Sequence, residues 1–97
     1  MSHKFNKDDS EKVNLNIIFD VPFALEEVAK VMEYGAIKYS RKNWDKVEDL
    51  ERYKSASLRH KLAQEKGEVV DPESRLLHRA HEITSLLFLL EIKEMQT

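Results

Sequence analysis

The sequence predicts an all-α protein: a compact bundle of three to four helices with an extended N-terminal segment, completed by self-association. Apolar residues recur at steps of three and four through most of the chain. Only one short stretch, Val13 to Phe19, alternates instead, and one isolated strand cannot make a sheet. At 97 residues the chain buries only a modest fraction of its unfolded surface, so a homodimer or higher assembly is expected to extend its core.

Residues 1–12 are polar without periodicity and are expected to form a flexible arm, leaving 13–97 as a single helical domain. Val13 to Phe19 is expected to lie extended against helices. Asp20 then offers a helix cap and Pro22 a first-turn residue, followed by Glu26 and Glu27 where the helix dipole favours anions. Leu25, Val28, Ala29, Met32, Gly35, Ala36 and Tyr39 share a face of that helix. Ser40 to Val47 breaks the pattern and reads as a loop.

A second helix is expected from about Glu48 to Lys66, ended by Gly67. Its inward stripe is Tyr53, Ala56, His60 and Ala63, suited to close packing against Gly35 and Ala36, while Leu58 and Leu62 face elsewhere. Gly67 to Ser74 is a connection, because Pro72 holds Asp71 extended. The last helix is expected from near Glu73 to about Glu94, with Leu76, Ala80, Ile83, Leu87 and Leu90 as its buried stripe and Leu77, Phe88, Ile92 and Met95 widening it.

Composition removes several function classes. Hydrophobic residues make up 41% and charged residues 35%, with mean hydropathy −0.58, a profile of helices with solvated faces. A net charge of −2 gives no basic field for duplex nucleic acid. The absence of cysteine removes disulfides, thiolate zinc sites and thiol nucleophiles. The first residues have no apolar core for a signal peptide, and Leu86 to Leu90 is too short to span a bilayer, so a cytoplasmic location and no membrane partner are expected.

Chemistry concentrates in residues 59–82. His78 and His81 are three apart on the last helix and project to one surface. His60 lies on the inward stripe before them, and Asp71 and Glu73 sit in the connection. A helix, connection, helix path brings all five within reach of one divalent cation, with carboxylates suiting Mg²⁺ or Mn²⁺ and imidazoles tilting toward Mn²⁺, Co²⁺ or Zn²⁺. The plainer reading is that a stripe histidine is hydrogen-bonded in a core and that Asp before Pro is a turn residue. Glu68 could join the cluster, whereas Glu65 is expected to be solvated and Glu26 and Glu33 lie opposite the apolar stripe. Lys38, Tyr39, Arg41, Lys42, Asn43 and Trp44 form a second constellation, fit for triphosphate oxygens and a stacked base or simply a solvated loop plugged by its Trp. Arg52 and Arg59 could add phosphate donors or pair with surface acids.

Taken in order, these motifs resemble the phage-associated dATP/dGTP diphosphohydrolase N-terminal domain family, a helical relative of the MazG-like nucleotide pyrophosphohydrolases. The match rests on Ala24-Leu25, VAKVMEYGAIKYSRKNW at 28–44, Arg52-Tyr53, ASLRH at 56–60, GEVVDPES at 67–74, His78, His81 and FLLE at 88–91. It implies metal-dependent cleavage of purine deoxynucleoside triphosphates to monophosphate and pyrophosphate, in the host cytoplasm for a phage product. The chain departs from the family pattern at Asn14 and Asn16, where Arg and Asp are usual, at Arg75, where Gly is usual, and near Thr84, where Asn is frequent.

The expected mechanism follows. His60, Asp71, His78 and His81, with Glu68 or Glu73, hold the metal; Glu73 or Glu68 deprotonates water. Lys38 and Arg59 neutralise the departing pyrophosphate, and Asn43, Trp44 and Tyr53 hold the nucleotide. A non-catalytic helical module that sequesters a nucleotide or inhibits a host protein is the alternative.

Overall fold

The computed structural model describes residues 12–39 and 49–95. Among them every regular element is helical: a 3-10 helix, Leu15–Asp20, then α1 Pro22–Tyr39, α2 Leu50–Glu65 and α3 His78–Met95. The first eleven residues of the expected arm lie outside the described residues. The segment expected to be extended is instead wound. Asn14 accepts the Asn16 amide on its side chain at 3.1 Å, and its carbonyl accepts the Ile17 amide at 3.2 Å. A short polar side chain thus starts a turn where alternation alone suggested open chain.

Pro22 opens α1, where a missing N–H costs no hydrogen bond. The carbonyl that receives the Leu25 amide belongs to Val21, at 3.1 Å, so Asp20 closes the 3-10 helix and does not cap α1. α2 ends as expected at Gly67, whose φ of 94° suits a residue without Cβ. Gly67 donates to the Gln64 carbonyl and Glu68 to the Ala63 carbonyl, both at 2.9 Å, a paired closure of the last turn.

α2 packs along α3 and α1 rests more lightly on α3. The expected approach of α2 to Gly35 and Ala36 does not occur: a Cβ built on Gly35 would meet nothing within 4 Å. α1 and α2 instead face each other across a cleft of about 1010 Å³, with α3 between them. Val31, outside the expected stripe, is buried, while Met32 is exposed.

The inward face of α3 also differs from the expected one. His78, Ala80, Thr84, Ser85 and Ile92 are buried, whereas Ile83 is 38%, Leu87 45% and Leu90 61% exposed. His78 and Thr84 can take inner positions because they find partners there: His78 meets Glu68 and His60, and the Thr84 hydroxyl donates to the Ala80 carbonyl at 2.7 Å. Of the apolar residues expected to face inward on α3, Ala80 and Ile92 do so, whereas Ile83, Leu87 and Leu90 face outward, as do Leu58 and Leu62 of α2.

α3 begins at His78, five residues later than expected. The intervening backbone is committed to a clasp: Asp71 donates to the Leu76 carbonyl and His78 to the Val69 carbonyl, both at 2.9 Å, around an antiparallel bridge of Val70 with Leu77. Arg75 sits at φ 63°, a left-handed conformation that no right-handed helix can contain.

Candidate metal centre

The clasp and two helix faces bring three potential ligands together. His60 from α2, Asp71 from the clasp and His81 from the first turn of α3 each present a ligand atom within 4.8 Å of the others. The His60 and His81 rings stack almost parallel, with centroids 4.4 Å apart and planes 7° from coincidence. Asp71 is aimed by its own turn: one carboxylate oxygen accepts the Glu73 amide at 2.9 Å, and the other lies 3.7 Å from His81 Nε2. Asp71 is therefore both the turn residue of the plainer reading and a member of the cluster.

His78 stands behind this group. Its Nε2 lies 2.6 Å from Glu68 Oε1 and its Nδ1 lies 2.8 Å from His60 Nδ1. With Nε2–H donating to the carboxylate, His78 Nδ1 accepts from His60 Nδ1–H. His60 Nε2 is then left without a proton, its lone pair available. Ser74 fixes the other imidazole. Its Oγ accepts the Leu76 amide at 3.2 Å and lies 2.7 Å from His81 Nε2; with Nε2–H donating to that oxygen, His81 Nδ1 keeps its lone pair.

Burial holds both imidazoles neutral. It is the largest cause of the lowering of His60 to about 4, with neighbouring His81 and His78 adding to it. His81 is likewise lowered, mainly by burial, with the Asp71 carboxylate opposing.

The other expected residues fall at varied distances from the centre. Glu73 lines the cleft, where its Oε1 takes bonds from Lys38 Nζ at 2.8 Å and from the Tyr34 hydroxyl at 3.1 Å. Those two bonds, Lys38 first, depress its pKa below the ordinary carboxylate value. Glu68 is turned toward His78 and does not border the cleft. Tyr53 is buried and meets Phe88 edge-on at 5.2 Å, while Arg52 donates to its hydroxyl at 3.2 Å. Arg59 is exposed on the cleft. Glu65 pairs with Lys61 on the surface, as expected. Asn43 and Trp44, with Arg41 and Lys42, lie outside the described residues.

Tyr34 did not emerge from the sequence, although its i, i+4 spacing from Lys38 places both on one helix face. Its ring also meets His81 edge-on, with centroids 6.2 Å apart. Gln64 donates to Glu82 at 2.9 Å and accepts from Arg79 at 2.9 Å, a surface link between α2 and α3 that no spacing rule signals.

Two neutral imidazoles and one carboxylate make a donor set that fits a divalent ion. The nitrogen ligands favour Mn²⁺, Co²⁺ or Zn²⁺ over Mg²⁺, which takes oxygen almost exclusively.

The profile of the dATP/dGTP diphosphohydrolase N-terminal family matches residues 2–97. The chain belongs to that family. A dATP/dGTP diphosphohydrolase of Salmonella phage PMBT28 is 40% identical to it over 83 residues, which cover 86% of this chain and 28% of that relative. The family chain in hand thus spans well under half of the relative it matches. No solved structure matches it significantly. Among the described residues no helix is long and apolar enough to cross a membrane.

Proposed function

We propose that the chain binds a purine deoxynucleoside triphosphate in the cleft and hydrolyses it to monophosphate and pyrophosphate. The convergence of His60, Asp71 and His81 at one end of a cleft whose other end is aromatic carries this reading. Family membership and the name of the phage relative give it its substrate class.

His60, Asp71 and His81 are the residues that would hold a divalent ion, which supplies positive charge to phosphate oxygens and acidifies a water. Arg59, beside His60 on the cleft wall, takes charge that develops on the leaving pyrophosphate. Lys38 starts paired with Glu73 and transfers to the triphosphate when it arrives. Released from Lys38, Glu73 regains basicity and receives the proton of the attacking water. The water oxygen bonds to the α-phosphorus as the bond to the bridging oxygen breaks. Tyr53 and Phe88 bound the base.

A second reading is nucleotide sequestration without turnover. It is favoured by the position of the two candidate bases: Glu68 is occupied by His78, and Glu73 by Lys38 and Tyr34.

Incubating the purified chain with each deoxynucleoside triphosphate and Mn²⁺, then measuring monophosphate and pyrophosphate, separates the two. Cleavage that is lost in His60→Ala and Asp71→Ala supports hydrolysis. Calorimetric binding without cleavage supports sequestration, and absence of both rejects the nucleotide reading.

A further inference from the structure

Ser85 takes no part in the centre described above. It is 8% exposed and borders the cleft from α3, yet among the described residues its hydroxyl has no hydrogen-bond partner. The other buried serine and threonine among the described residues differ. Thr84 donates to the Ala80 carbonyl at 2.7 Å and Ser57 to the Lys54 carbonyl at 2.8 Å, so both are satisfied by their own helices. No fully sealed side-chain nitrogen or oxygen among the described residues lacks a partner. The Ser85 hydroxyl is therefore reachable from the cleft, and a group in the cleft is the partner open to it.

Its height on α3 says which group. His81, Ser85 and Phe88 are at i, i+4 and i+7 and share a face. With a rise of 1.5 Å per residue, Ser85 stands about 6 Å and Phe88 about 10 Å beyond His81 along the axis. Imidazole and carboxylate, then a lone hydroxyl, then the Phe88–Tyr53 aromatic pair follow one another along the cleft. That order repeats the order of phosphate, sugar and base in a nucleotide. A serine hydroxyl both donates and accepts, which suits a sugar hydroxyl.

We propose that the Ser85 hydroxyl binds the 3′-hydroxyl of the nucleotide in this cleft, an assignment that rests on the function proposed above. It makes Ser85 a residue that selects for an intact sugar and leaves the phosphates and the base to other groups.

The test is a calorimetric cycle with the 97-residue chain in Mn²⁺, titrated with α,β-methylene dATP and with the same analogue lacking the 3′-hydroxyl. Wild type is expected to bind the first about three- to tenfold more tightly, the range of one neutral hydrogen bond. Ser85→Ala is expected to bind both alike, at the affinity wild type shows for the 3′-deoxy analogue. Thermal melting checks that the variant folds, and Ser85→Thr, which restores a hydroxyl, is expected to recover part of the preference. If wild type does not distinguish the analogues, or if Ser85→Ala weakens both by one factor or neither, the assignment is overturned while the nucleotide reading stands. If wild type binds neither analogue, both fall together.

Discussion

Glu68 touches no residue of the His60, Asp71, His81 group, yet its carboxylate decides which nitrogen of His60 carries a proton. It does so through His78, whose Nε2 it holds at 2.6 Å. Removing it with Glu68→Ala is expected to weaken Mn²⁺ binding about tenfold, the usual effect of losing an outer partner of a ligating imidazole. Glu68→Gln keeps an acceptor for the same N–H and should restore part of that loss, both measured by calorimetry. Protonation of the imidazoles offers a second check. His60 in the folded protein titrates at about 4, below its ordinary 6.5, so the unfolded chain takes up the proton first as pH falls. Metal-free protein is therefore expected to keep its full stability from this group above pH 6.5 and to lose it progressively between 6.5 and about 4. Melting temperatures measured in chelator across that window should fall, and His60→Gln should flatten the curve.

At the scale of elements, the sequence carried α1 and α2 well because punctuation residues mark their ends: Pro22 opens one and Gly67 closes the other. α3 was less legible. Its apolar periodicity is real, but periodicity alone cannot say which of two apolar faces turns inward, and His78, which does, is polar with partners distant in sequence. The bringing together of His60, Asp71 and His81 could be anticipated from their spacing. The separation of His78 from them could not, because the residue that draws it away, Glu68, lies across a clasp no local rule announces. Arg75 shows the same clasp from its other side. At φ 63° it occupies a conformation that glycine adopts freely. Arg75→Gly should relieve about 1 kcal/mol of strain, offset in part by the greater freedom of glycine when unfolded, for a net gain of about 0.5 kcal/mol. Denaturant unfolding of the two chains would register it as a higher midpoint at unchanged slope.

For the whole molecule, the balance of inside and outside is unusual. Among the described residues Val31, Tyr53, Ala80 and Ile92 are the buried apolar ones, while Ile83, Leu86, Leu87 and Leu90 on α3 and Leu58 and Leu62 on α2 are exposed. A second copy meeting the first across these outer faces is the expected occupant, and light scattering should report a dimer that Leu87→Glu with Leu90→Glu converts to monomer. A monomeric wild type would count against this. One further consequence follows from α1 leaning on α3 without a matching seat on α2. Among the described residues its hold on the rest is the weakest of the three helices, so it should open as a separate unit while α2 and α3 stay paired. In amide hydrogen exchange α1 would then lose its protons well before its neighbours. The wall of the cleft that carries Lys38 and Tyr34 would be a door that swings with thermal energy alone, and a nucleotide bridging it to Arg59 would slow that exchange by holding it shut.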